Sequence, residues 1–252
     1  MESISDISNV RHLTWDSEFF GVQTVQVLPR KMTGRLLTEI LQGLWSAGVG
    51  LVYWAADPSD PESSNAASIC NALLVDTRRV YGMSVDKMIS NGPPTHDIRE
   101  YDALLDWDPD LEDIAVDCGK FSRFQIDPRI PDETCSELYR TWIWNSVNTP
   151  FADGVLVSRN REKLSGLVTV RVASGQGSIG LLGVSEAYRG QGIGRSLIRE
   201  AGRWFSIHGC SKGLVTTQDR NHAACVLYES CGFSLERTDH YYHFWNPNYD
   251  SV

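Results

Sequence analysis

The run Arg189-Gly190-Gln191-Gly192-Ile193-Gly194 has the residue types for holding an anion. Glycine lets the backbone approach a ligand closely and adopt conformations closed to other residues. Ile193, Leu197, Ile198, Ala201 and Phe205 then recur at the helical period, so the run opens a helix. Unpaired N–H groups at a helix start, with the positive end of its dipole, suit a pyrophosphate. Arg189 and Arg195 flank the run and add positive charge. A bare strand-to-helix turn would use the same glycines, so the surroundings decide. No Lys-Ser or Lys-Thr follows the glycines, as a nucleoside triphosphate loop requires, and turns rather than crossover helices join the preceding strands, unlike a dinucleotide fold.

The elements that must position this loop are legible around it. Residues 154–158, 166–172 and 178–184 predict three strands, separated by Arg159-Asn160-Arg161 and Ser174-Gly175-Gln176-Gly177, both turn sequences, and so an antiparallel meander. Residues 132–148 predict a helix with Leu138, Trp142, Ile143 and Val147 on one face. After the loop come a helix over 193–207, a strand over 213–217, a helix over 221–230 with Asn221 at its N-cap, and two closing strands around Phe233 and 241–245. Upstream, residues 22–28 read as a strand, 34–48 as an amphipathic helix, 51–55 as a strand, 66–74 as a helix and 80–88 as a strand, before the breaker run Asn91-Gly92-Pro93-Pro94. Residues 13–22 are dense in aromatics and read as an N-terminal strand tucked into a core.

Arg189, Gly192 and Gly194 match the pattern Arg or Gln, two residues, Gly, one residue, Gly or Ala, and so the chain resembles the GNAT acetyltransferases. The likeness continues in Gly180-Leu181-Leu182-Gly183-Val184 and in Asn221 followed by Tyr228-Glu229 and Gly232-Phe233, covering residues 132–245. It implies an α/β (α+β) GNAT fold with a mixed, largely antiparallel sheet. It also implies acetyl-CoA held by the backbone of Leu182, Gly183 and Val184, by Arg189, Gly190, Gln191, Gly192, Ile193, Gly194 and Arg195, and by Asn221, with Tyr228 facing the thioester sulfur. Transfer to an amine needs a neutral nucleophile, a donor for the developing oxyanion and a proton for the leaving thiolate. Tyr228 is the expected proton donor and the Val184 N–H the expected carbonyl polariser. Glu186, His240 and His243 are the candidates for a general base, each with a structural reading as well.

Trp15, Phe19, Phe20 and Gly21 near the start, Phe121-Ser122-Arg123-Phe124, and Leu138 to Ile143 together resemble the TDP-fucosamine acetyltransferase family. That likeness implies a smaller, incomplete GNAT-like domain ahead of a complete one and a homodimer. The acceptor it implies is the 4-amino group of a dTDP-linked 4-amino-4,6-dideoxy sugar. Arg123 would then meet a nucleotide phosphate, and Trp15, Phe19, Phe20 and Phe124 a base or sugar face. The chain differs from that family along most of its N-terminal part. Rival acceptors are a protein N-terminus or a small cationic amine, and a CoA-sensing module without turnover is a third reading.

The 252 residues carry a net charge of -9, which argues against nucleic-acid or anionic-membrane binding. The acids concentrate in residues 101–130, where Asp102, Asp106, Asp108, Asp110, Glu112, Asp113, Asp117 and Asp127 stand against only Lys120, Arg123 and Arg129, and Asp102 to Asp117 is the surface a cationic acceptor would use. Six cysteines form no CxxC pair and no metal-ligand spacing with the six histidines, so reduced thiols and no metal are expected. Residues 1–6 lack a leader pattern and no stretch is apolar enough to span a bilayer, which predicts a cytoplasmic protein. Expected domains are residues 1–100, an acidic junction 101–119, and 120–252.

Overall fold

The computed structural model describes residues 9–90, 92–104 and 107–249. The leader reading at residues 1–6, Asn91 of the breaker run, and Asp106 lie outside them. In chain order the elements are β1 (Val10–His12), α1 (Thr14–Phe20), β2 (Thr24–Val27), α2 (Gly34–Ser46), β3 (Leu51–Ala56), α3 (Pro61–Ile69), β4 (Leu73–Ser84), α4 (Val85–Ser90) and β5 (Ile98–Glu100). There follow α5 (Asp110–Cys118), α6 (Arg123–Ile126), α7 (Asp132–Asn148), β6 (Gly154–Asn160), β7 (Lys163–Ala173), β8 (Gln176–Val184), α8 (Ile193–Ile207), β9 (Lys212–Gln218), α9 (His222–Ser230) and β10 (Ser234–Trp245).

These form two compact units that are not consecutive in sequence. One comprises the chain up to Arg78, Arg123–Pro131 and the chain from Thr238; the other comprises Arg79–Ser122 and Asp132–Arg237. The expected segments 1–100, 101–119 and 120–252 are therefore redrawn. Two twelve-residue strands, β4 and β10, begin in one unit and end in the other. Strand partners chosen across a long stretch of sequence leave no local mark, so a boundary within a strand cannot be read from composition.

In the first unit β1 pairs antiparallel with β2, β2 parallel with β3, and β3 antiparallel with residues 240–245 of β10. Every residue of β3 is buried, as a central strand demands. Thr33 caps α2, which turns Leu37, Ile40, Leu41 and Leu44 into the core. Residues 14–20 are a helix, not the expected strand. Trp15 and Phe19 stand four apart, so one helical turn stacks their rings at 5.3 Å, and Gly21 ends the helix at φ 65°. The helix expected over 66–74 lies at Pro61–Ile69, started by Asp60 as N-cap and Pro61 in the first turn.

In the second unit β6, β7 and β8 form the predicted antiparallel meander. The turns place Arg161, Ser174 and Gly175 in left-handed conformations. β9 then pairs parallel with β8, and β5 covers the β6 edge antiparallel. α8 buries Ile193, Leu197, Ile198, Ala201 and Phe205, the predicted stripe. Three expectations fail here. The strand expected over 80–88 stops at Ser84 and α4 follows. The stretch expected as an acidic junction over 101–119 follows β5 and holds the helix α5, whose first-turn Asp110, Glu112 and Asp113 complement the helix dipole while Leu111, Ile114 and Ala115 are buried. The two expected closing strands are the single strand β10. No helix among the described residues is long and apolar enough to cross a membrane, and the six cysteines are free.

Candidate active site

The second unit contains an opening between two neighbouring strands. The β8–β9 ladder runs from Gln176↔Lys212 to Ile179↔Val215 and no further. β8 nevertheless continues to Val184 and β9 to Gln218. On its other side β8 keeps its β7 partners, Val168↔Leu182, Leu167↔Gly183 and Gly166↔Val184. The last residues of β8 thus have one backbone edge without a β9 strand. Such an edge takes an extended ligand that supplies the missing hydrogen bonds.

Beyond Val184 the chain makes a short turn over Glu186–Tyr188 and enters the glycine loop. Gly190 (φ 76°) and Gly192 (φ 84°) are both left-handed, and Gly190 has open space where a side chain would be. Gly192 is the N-cap of α8 and no side chain caps that helix, so its first N–H groups keep no side-chain acceptor. Gly194 lets α8 approach α9, since a Cβ there would stand 3.1 Å from Leu227. Ile193 is buried beneath the loop and Gln191 is exposed. This arrangement fits a diphosphate.

The first unit repeats the succession strand, helix, strand, helix in β2, α2, β3 and α3, and there the matching helix start is closed. The Thr33 hydroxyl accepts from the Leu36 N–H at 3.2 Å. Arg30 is paired with Asp239 and with the Thr238 carbonyl, and Lys31 lies 3.7 Å from Asp57.

The two arginines flanking the glycine loop are both engaged. Arg189 donates from Nε to the Val184 carbonyl at 3.2 Å and pairs with Asp117, which also pairs with Lys120. Arg189 therefore ties the loop to the end of β8 and to α5. Arg195 donates to the carbonyl and hydroxyl of Ser230 at 3.0 and 3.1 Å, fixing the start of α8 to the end of α9. Asn221 accepts from the Ala224 N–H at 3.1 Å, the predicted N-cap, which leaves its side-chain amide for a ligand.

Tyr228 on α9 is 4% exposed, edge-on to Phe233 at 5.9 Å and 6.0 Å from the Tyr81 ring. Its hydroxyl has no hydrogen-bond partner among the described residues. Burial, helped by the thiols of Cys118, Cys225 and Cys231, lifts its pKa above the ordinary phenol value. Cys118 and Asp117, at the end of α5, are site residues that sequence reasoning missed, because no motif marks them. Cys118 is part-exposed as a residue, yet its thiol is enclosed and pushed up to about 12, first by burial and then by Asp117.

The candidates for acceptor contacts lie in the first unit. Phe20 and Phe124 are 5% and 3% exposed with centroids 5.5 Å apart, and so belong to its core. Trp15 and Phe19 keep part of their surface. The Arg123 guanidinium sits 3.8 Å from Asp16 and lies over the rings of Phe124, Tyr53 and Tyr241 at 4.1, 4.8 and 4.8 Å. It is held in place by these contacts. Among the base candidates, Glu186 is exposed on the turn and His240 is part-buried. His243 is fully buried, bonded to Asp127 at 2.7 Å, and pushed down to about 4 chiefly by burial.

Residues 118–233 match the family described as Acetyltransferase (GNAT) family. These residues are a GNAT acetyltransferase domain. The dTDP-fucosamine acetyltransferase of Escherichia coli O6:H1 is 27% identical over 239 residues, 92% of this chain and 96% of that protein. An uncharacterized N-acetyltransferase, YobR, of Bacillus subtilis strain 168 is 34% identical over 82 residues, 32% of this chain. The match spans a third (33%) of the Bacillus protein's length. A GCN5-related N-acetyltransferase of Sphaerobacter thermophilus shares the fold with a TM-score of 0.60 at 15% identity, covering 96% of this chain and 78% of that one. The fold of these residues is the α/β GNAT fold with a mixed sheet.

Proposed function

We propose that the GNAT domain takes an acetyl group from acetyl-CoA and delivers it to the amine of a nucleotide-linked amino-deoxy sugar. The observation that carries the donor is the uncapped start of α8 at two left-handed glycines, beside a β8 edge that β9 has left. Acetyl-CoA, when bound, supplies an activated acyl thioester. The N–H groups of Gly190 to Gly194 would hold its diphosphate, the β8 edge at Leu182 to Val184 and the Asn221 amide its pantetheine arm. The Val184 N–H would polarise the acyl carbonyl.

Tyr228 keeps its proton at neutral pH because burial disfavours the phenolate. A weak acid gives up its proton only in concert with charge building on the departing sulfur, which suits a donor that acts late. His243 is withdrawn from the role of base by its burial and its bond to Asp127. An amino sugar has a less basic amine than lysine, and water can take its proton.

The acceptor reading rests on the similarity to the dTDP-fucosamine acetyltransferase, which runs through both units. The acidic stretch gives little support to a cationic acceptor. Asp108 pairs with Arg159, Asp110 with Lys163, Glu112 with Arg140 and Asp117 with Arg189. A homodimer and a cytoplasmic location belong to the same proposal. The test follows thiol release from acetyl-CoA with dTDP-amino sugars, polyamines and peptides offered in parallel. Turnover is expected with the sugar nucleotides; turnover with peptides or polyamines alone would overturn the acceptor.

A further inference from the structure

The segment Gly92–Asp97 lies along α8 and is fastened to it at several points. The Pro93 carbonyl accepts from Arg199 at 3.2 Å. The Thr95 N–H donates to the Ser196 hydroxyl at 3.2 Å, and the Thr95 hydroxyl lies 3.1 Å from the same oxygen. His96 Nδ1 is a further partner of that oxygen, at 3.1 Å. Ser196 is completely buried in the first turn of α8. It is thus an anchor whose position is set by the helix, and it fixes the imidazole in turn.

The anchor places the ring at the glycine loop. His96 Cε1 lies 3.8 Å from the position a Cβ on Gly192 would take, in ordinary contact range. Nε2 is bonded to Cε1 in the ring and has no hydrogen-bond partner among the described residues. When Ser196 donates its hydroxyl proton to Nδ1, the neutral ring must carry its own proton on Nε2; the imidazolium carries one there too. In both of these states an N–H donor stands beside the uncapped start of α8, and a bound phosphate selects them over the tautomer protonated on Nδ1. A donor or cation facing the positive end of a helix dipole is unfavourable by itself, and an anion between them reverses the sign of both interactions.

We propose that His96 is a phosphate-binding residue of the acyl-donor site, donating from Nε2 to the phosphate groups of CoA. The proposal rests on the acetyl-CoA reading above and adds a contact from a segment well upstream of the glycine loop.

The test measures affinities of the full chain and of its His96→Ala and Ser196→Ala variants, with Gly192→Val alongside. The probes are CoA, dephospho-CoA and acetylpantetheine, the last lacking phosphates. His96→Ala should weaken CoA roughly five- to tenfold, as the loss of one charge-assisted hydrogen bond does, and leave acetylpantetheine unchanged. Ser196→Ala should show the same pattern more weakly. An equal loss for dephospho-CoA places the contact on the diphosphate; a loss for CoA alone places it on the 3′-phosphate, and both support the proposal. Unchanged CoA affinity in His96→Ala, with Gly192→Val impaired, overturns His96 and leaves the donor reading standing. An equal loss for acetylpantetheine marks a structural role and also overturns it. No CoA binding by the unaltered chain overturns the donor reading itself, and His96 with it.

Discussion

The Cβ that Gly183 lacks would stand 2.7 Å from the sulfur of Cys118 and 2.5 Å from Ile114. α5 therefore lies directly on the end of β8, and this contact, not an approach of ligand to backbone, is what forbids a side chain at Gly183. Gly183→Ala should overpack the junction and destabilise the protein by about 1–3 kcal/mol. Chemical denaturation checks it; an unchanged midpoint would mean that α5 is not seated there.

Tyr228→Phe removes a buried hydroxyl that has no partner to leave unsatisfied, so the fold should tolerate it. kcat should fall by about a hundredfold, the scale of a lost general acid, while acetyl-CoA affinity stays nearly constant. Because burial raises the Tyr228 pKa, its proton stays on through and beyond the ordinary phenol range. A fall in kcat below pH 9 that disappears in the variant would contradict this.

Gly192 holds φ 84° at the start of α8. A β-branched residue there is strained by about 1–3 kcal/mol, and the chain would relieve the strain by moving the loop off its helix start. Gly192→Val should lower acetyl-CoA affinity by at least roughly tenfold, read by calorimetry. Retained affinity would sink the phosphate-loop assignment.

His243 should make the protein acid-sensitive just below neutral pH. Its folded pKa is about 4 against 6.5 in the unfolded chain. Between those values the unfolded chain takes a proton that the folded one refuses, so stability is lost as pH falls through this window. The loss amounts to about 2 kcal/mol by pH 5. Asp127 acts lower: although its burial opposes ionisation, bonds from His243, Arg129 and Trp245 hold it below 3.8, and its contribution goes only as pH drops through that depressed value. Unfolding free energies equal at pH 7 and pH 5 would disprove the His243 account.

One acetyl-CoA per chain is expected. Thr33 occupies the N–H group that a ligand would need at α2, and Arg30 and Lys31 already face carboxylates. Titration calorimetry giving two equivalent sites would show that the first unit's helix start is open after all.

The part of the site that sequence shows is local. The glycine loop, the stripe of α8 and the Asn221 cap each depend on residues within a turn or two, and the structure places all three as read. α1 shows where such reading slips: a short aromatic-rich segment suits a strand by composition, and the Trp15–Phe19 stack that a helix makes is visible only when spacing outweighs propensity. Arg123 shows what local reading does not reach: Asp16 and three rings surround its guanidinium, and these come from four separate segments.

By itself the sequence determined the chemistry on offer: a loop able to bind a diphosphate, a strand ahead of it, a capped helix carrying Tyr228 behind it, and a likeness to one acetyltransferase family. Tertiary structure alone decided that β8 and β9 part beyond Ile179, that Cys118 and Asp117 close on the loop, and that β4 and β10 run through both units. The division has a physical cause. Turns, caps and helical stripes are fixed by neighbours in the chain, whereas the place where two strands stop pairing and the burial that sets a proton's affinity depend on residues far apart in sequence.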